Sequence, residues 1–138
     1  MSFDAAGVRA EFPLLARGLG GQPLHYLDSA ATAQVPQAVI DELVRFETQS
    51  RANVLRGVHR LAEAATAAYE DARESLAHYL NARPDEVVFT AGTTASLNLV
   101  AHALGETLQP GDEVVISELE HHSNFVPWQM LRDRRGVV

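Results

Sequence analysis

Two clusters of side chains in this sequence have types and spacings suited to chemistry. The first is Phe89-Thr90-Ala91-Gly92-Thr93-Thr94, where an apolar run from Glu86 feeds a glycine and two threonines. A helix-like stretch, Ala95 to Leu104, begins at once. Strand, small-residue turn and helix N-terminus in that order form an anion site. The first N–H groups of a helix lack intrahelical partners and lie at the positive end of its macrodipole. Glycine admits a ligand close to the backbone, and two hydroxyls add donors. The plainer reading is an ordinary capped helix, with Thr93 or Thr94 bonding to N–H groups two or three residues on. The second cluster is Glu120-His121-His122-Ser123-Asn124, just past an apolar run at 113–117. Adjacent histidines seldom face one ion, and neither a His-x₃-His spacing nor a carboxylate at ligand spacing accompanies them, which disfavours a metal centre. One remaining reading is a polar turn whose imidazoles bond to backbone. The other is a planar ring stacked on a flat cofactor beside the anion cup, offering a nitrogen that titrates near neutral pH.

Both clusters need a scaffold, and the flanking pattern supplies one. Val87–Thr90 and Glu113–Ser117 read as apolar strands, each followed by a helix, about Ala95–Leu104 and Phe125–Arg134. Gly136-Val137-Val138 reads as the entry to a further strand. Such βαβ units indicate an α/β fold with a mostly parallel sheet covered by helices, in which ligands gather at the carboxyl ends of strands. Both clusters lie at such ends. Upstream, a short helix is expected within Phe3–Ala16, turn material at 17–23 and a short strand at Leu24–Asp28. A helix from Pro36 to about Ser50 follows, then an unpatterned loop at 51–60 that contains His59. A long alanine-rich helix, Leu61 to Leu80, ends at Asn81-Ala82-Arg83-Pro84. The domain reading is a helix and turn over 1–23, then a partial domain over 24–138. Few strands are present for a parallel sheet, and the last residues look like the start of another, so the pattern implies truncation at the C-terminus.

Composition narrows the function classes. With 138 residues, 46% hydrophobic and 21% charged, the chain has the make-up of an ordinary globular protein. Eleven basic against eighteen acidic residues give a formal charge of −7, which argues against nonspecific binding to nucleic acid or anionic membranes. Arg132, Arg134 and Arg135 cluster, but Asp133 interrupts them, and the group suits a helix C-terminus. No signal-peptide pattern opens the chain, and no apolar run approaches the ~18 residues of a membrane span, so a cytoplasmic protein is expected. The chain contains no cysteine and no lysine; all eleven basic residues are arginine. Disulfides, thiolate metal sites and thiol nucleophiles within these residues are thereby excluded.

Five strings carry a family resemblance: Leu27-Asp28-Ser29-Ala30-Ala31-Thr32-Ala33-Gln34, Arg56-Gly57-Val58-His59, Asn81-Ala82-Arg83, Val88 to Thr94, and Glu120-His121-His122-Ser123-Asn124-Phe125-Val126-Pro127-Trp128-Gln129. In that order they resemble the N-terminal part of class V aminotransferase-fold enzymes, and most of all group II cysteine desulfurases and selenocysteine lyases. The last string is specific; Gly-Thr-Thr alone is not. The resemblance implies the N-terminal portion of a fold type I pyridoxal-phosphate transferase large domain, incomplete at its C-terminus. It implies pyridoxal 5′-phosphate as cofactor, with Thr93 and Thr94 on the phosphate and His121 stacked on the ring and available for proton transfer. Ala30 and Ala31 would line the substrate side. Arg56 and His59 belong to a loop that reaches toward the neighbouring subunit's site in such homodimers. Leu55 departs from the pattern, since group II enzymes often have a histidine there. The implied reaction takes L-cysteine to L-alanine, or L-selenocysteine likewise, with sulfur passed to an enzyme cysteine and then to a sulfur-acceptor protein. Sulfur metabolism and iron–sulfur cluster assembly are the implied setting. Neither the Schiff-base lysine nor the acceptor cysteine is among these residues, so the chain alone is expected to be inactive. An epimerase-like or transaminase-like member of the same fold, and a non-catalytic assembly fragment, are the alternatives.

Overall fold

The computed structural model describes residues 3–138. Asp4 starts the first helix, α1 (Ala5–Ala10), by accepting the Gly7 N–H at 2.9 Å. The helix is short and ends before Pro13, as expected, and Pro13–Ala16 forms a 3₁₀ turn. Gly20 and Gly21, both with positive φ (60° and 78°), then close a two-residue hairpin between β1 (Gly18–Leu19) and β2 (Gln22–Pro23), paired antiparallel. The expected strand at Leu24–Asp28 is not a regular strand. Its carbonyls have other partners: Arg9 Nη2 donates to Leu24 O at 2.6 Å, and the N–H groups of Ala31 and Thr32 donate to Asp28 O.

α2 (Gln37–Arg45) begins after Pro36, which stands as its N-cap. The helix expected to run evenly to Ser50 instead widens to π geometry over Phe46–Ser50, a change that the 3.6-residue spacing of apolar side chains does not encode. α3 (Arg60–Leu80) is the longest element, and its inward face is alanine: Ala62, Ala65 and Ala77 are buried. Asn81 ends it in the left-handed conformation, φ 54°, as the Asn-to-Pro stop signal anticipated.

After a 3₁₀ turn at Pro84–Glu86 come residues 87–90 and then α4 (Thr93–Gly105). α5 (Val126–Arg135), with Pro127 in its first turn, ends at Gly136 with φ 70°. α4 and α5 approach closely because Gly105 has no side chain; a methyl there would run into Leu131. Arg135 closes the same contact through Glu106 at 2.7 Å. Neither 87–90 nor 113–117 is a regular strand. One rung nevertheless joins the chain at 112–114 to Val138. Val138 N–H donates to Asp112 O at 2.9 Å and Val138 O accepts from Val114 N–H at 2.8 Å, the bond pattern of parallel neighbours.

The chain packs as two compact units, Met1–Asn81 and Ala82–Val138. The first centres on the alanine face of α3, the second on α4, α5 and Val137. Among the described residues, the buried ones are small: Ala62, Ala65, Ala77, Ala101, Gly105, Pro127 and Val137. No helix among them is long and apolar enough to cross a membrane.

Candidate functional site

Gly92, Thr93 and Thr94 stand where the sequence placed an anion cup, with one change of boundary. The helix begins at Thr93 rather than Ala95, so both threonines occupy its first turn. The plainer capping reading fails on this geometry. Gly92 is the N-cap, and among the described residues no side chain bonds to the first-turn N–H groups. Gly92 has φ 139°, a backbone state that side chains strain to adopt, and beyond its chain neighbours no atom of the described residues lies within 4 Å of where its Cβ would be. The α4 N-terminus is therefore open, with uncapped donors and a bare approach, which fits a phosphate.

The Thr94 hydroxyl also reaches the histidine turn. Its Oγ1 lies 2.7 Å from Ser123 Oγ, and Ser123 Oγ lies 3.0 Å from Nδ1 of His121. The Ser123 N–H also donates to that Nδ1, at 3.1 Å. Two motifs separated by 29 residues, the threonine pair and the histidine turn, thus meet through one serine. His121 is exposed, and its ring stands nearly perpendicular to that of His122, at 88° with centroids 6.2 Å apart. The two imidazoles do not converge on a common point; His121 is left with an open face.

The other polar residues of the histidine string hold the turn in place. Ser117 Oγ donates to Glu120 Oε1 at 3.0 Å, and Asn124 Nδ2 donates to Glu120 Oε2 at 2.9 Å. The Asn124 side-chain carbonyl in turn accepts the Trp128 indole N–H at 2.9 Å. These donors favour the charged carboxylate: the Asn124 amide, then the Ser117 hydroxyl, hold Glu120 below the usual carboxylate range. Glu, Asn and Trp at spacings of four along a turn entering a helix form one continuous brace behind His121. Residue types in the string announced a specific turn, but only the bond directions show which of them brace it.

The other sequence-derived candidates fall in the first unit. Ala30 and Ala31 lie in the turn closed by Asp28 O, beside Tyr26, whose hydroxyl is 2.7 Å from Thr32 O. Arg56 is exposed and has no ion-pair partner among the described residues. His59 N-caps α3: its Nδ1 accepts the Ala62 N–H at 3.3 Å. The loop carrying Arg56 is clamped onto α3 at two further points. Leu55 adopts a left-handed φ of 70°, which only a firm hold sustains in a non-glycine residue, and its N–H donates to Thr66 Oγ1 at 2.9 Å. Gly57 faces Ala62 so closely that a methyl group would overlap it.

Comparison with known proteins gives the chain its family. The family model "Aminotransferase class-V" matches residues 25–138. A cysteine desulfurase of Serratia proteamaculans is 53% identical over 99% of the chain and 34% of its own length. A probable cysteine desulfurase of Mycolicibacterium paratuberculosis is 49% identical, over 99% of the chain and 20% of its own length. Among solved structures, the apo cysteine desulfurase of Thermococcus onnurineus superposes with a TM-score of 0.86 at 38% identity, covering 99% of the chain and 33% of that protein. The cysteine desulfurase CsdA of Escherichia coli gives 0.73 at 42% identity, covering 99% of the chain and 34% of that protein. The chain thus spans a fifth to a third of the length of these relatives. Their fold is the α/β fold type I of pyridoxal-phosphate enzymes, and this chain is a partial example of it. On these matches, and on the residues 25–138 that carry them, the chain belongs to the class-V aminotransferase family.

Proposed function

We propose that this chain provides the phosphate-binding and ring-stacking side of the cofactor site in a pyridoxal 5′-phosphate-dependent cysteine desulfurase or selenocysteine lyase. The observation that carries the reading is the open N-terminus of α4 with the Thr94 hydroxyl linked through Ser123 to His121. The first-turn N–H groups and the Thr93 and Thr94 hydroxyls bind the phosphate, and the dipole of α4 favours its charge. His121 offers its open face to the pyridine ring and its Nε2 to proton transfer at the substrate. The cofactor, when bound, supplies the electron sink for cleaving the carbon–sulfur or carbon–selenium bond of the amino-acid substrate. The family resemblance assigns Ala30 and Ala31 to the substrate side, and Arg56 and His59 to the loop that reaches toward the neighbouring subunit of a homodimer. L-Cysteine becoming L-alanine, with sulfur delivered through an enzyme cysteine to an acceptor protein for iron–sulfur assembly in the cytoplasm, is the reaction this reading assigns. The lysine and cysteine it requires are not among these 138 residues.

Thr94→Ala tests the assignment. Losing a hydrogen bond to a charged group should weaken cofactor binding by about 1–3 kcal/mol, read as faster loss of pyridoxal 5′-phosphate on dialysis. Unchanged retention would count against a phosphate site at the α4 N-terminus.

A further inference from the structure

We propose that Ser123 is a positioning residue that fixes the direction of the Thr94 hydroxyl, aiming its proton at the cofactor phosphate. The inference rests on the phosphate reading above and adds a residue to it.

The argument begins at a hydrogen whose place is set by the backbone. The Ser123 N–H points at His121 Nδ1 from 3.1 Å, so Nδ1 is an acceptor and the neutral ring has its proton on Nε2. That nitrogen has a single lone pair in the ring plane, and the amide engages it. Ser123 Oγ stands 3.0 Å from the same nitrogen and 2.7 Å from Thr94 Oγ1. With the lone pair taken, the serine proton goes to the shorter contact, Thr94 Oγ1. A hydroxyl has one proton to give and accepts freely, so Thr94 accepts from Ser123 and keeps its own proton for a third direction. Among the described residues no other group takes that direction, and Thr94 sits in the first turn of α4 beside the uncapped N–H groups. A threonine hydroxyl left to itself in a helix tends to donate back to the carbonyl of the preceding turn. Ser123 opposes that habit and makes Thr94 a donor to an anion. The same serine holds the His121 ring through its amide, so phosphate donor and stacking ring share one support.

The test uses the intact protein in equilibrium dialysis with two probes, pyridoxal 5′-phosphate and pyridoxal, which lacks the phosphate. Ser123→Ala should loosen pyridoxal 5′-phosphate about fivefold, the effect of one modest hydrogen bond, and leave pyridoxal unchanged. Ser123→Thr, which keeps the hydroxyl, should restore the affinity. In a Thr94→Val background, Ser123→Ala should add nothing, because the group it orients is gone. Equal loosening of both probes would place the effect in the ring support alone and overturn the proposal. So would a Ser123→Ala loss that persists undiminished beside Thr94→Val. A Thr94→Val loss without any Ser123→Ala loss overturns the serine's role only. Unchanged binding in Thr94→Val overturns the phosphate reading itself.

Discussion

Replacing Gly57 by alanine should destabilise the first unit, and the structure says how the damage can be undone. A methyl group on Gly57 would overlap the Cβ of Ala62, with Asn53 O a further neighbour at 3.4 Å. Ala62 is fully buried, lies in the first turn of α3 and receives the His59 cap. Two methyl groups have no rotamers with which to avoid each other, so backbone must move. That movement pulls against the His59 cap and the Leu55–Thr66 bond. Overpacking of this kind costs typically 1–3 kcal/mol, and we expect about 2 kcal/mol for Gly57→Ala. Backbone strain is not the cause, since Gly57 is not among the glycines of positive φ. Ala62→Gly alone should cost about 1 kcal/mol, the helix penalty of glycine. The double variant moves one methyl across the same gap. It should therefore cost about 1 kcal/mol in all, a coupling of about 2 kcal/mol between the sites. Urea unfolding of the four proteins, followed by far-ultraviolet circular dichroism, measures this. Additive losses near 3 kcal/mol in the double variant would refute the steric argument.

Three further outcomes follow from particular bonds. His59→Ala should cost about 1 kcal/mol through loss of the α3 N-cap, and His59→Asn should recover most of it; equal losses in urea unfolding would remove the capping role. The Glu120 carboxyl titrates below its usual range, so its stabilisation is complete above the unfolded carboxylate range and is lost as pH falls through the depressed folded value. The difference in urea midpoint between the native protein and Glu120→Gln should accordingly narrow as pH is lowered through that window, and a constant difference would refute the assignment. His121→Ala should change both turnover and the absorption spectrum of the cofactor-loaded enzyme; if neither moves, the stacking role is wrong.

Sequence and structure agree where the deciding forces are local. α3 was legible because alanine recurs on one face and Asn81 before Pro84 is a strong stop. The Gly-Thr-Thr cup was legible as a helix entrance, but its boundary was not. Threonine hydroxyls suit both capping and ligand binding, and the partner that Thr94 meets is Ser123, 29 residues away, which the chain pattern could not bring into range. The hairpin at Gly20-Gly21 had a two-glycine signal, but the alternation at Leu24–Asp28 drew the strand assignment instead. The segment instead has its first carbonyl bonded by a distant arginine, Arg9. The π turn at Phe46–Ser50 has no signature in side-chain spacing. Of the candidate residues, Thr94 and His121 are joined through Ser123 in the second unit, whereas His59 serves α3 with one ring nitrogen.

The brace behind His121 has an optical consequence. Trp128 is the only tryptophan in these 138 residues, and it is half-buried with its indole N–H tied to Asn124. Asn124 is tied in turn to Glu120, the neighbour of His121. Indole emission shifts with the hydrogen bonding and polarity around its N–H, so the chromophore is wired to the turn through a single amide. Any event that turns Asn124 or frees Glu120 changes the light emitted four to eight residues further on. The histidine turn thus comes with its own built-in fluorophore, and its movements are visible without attaching a dye.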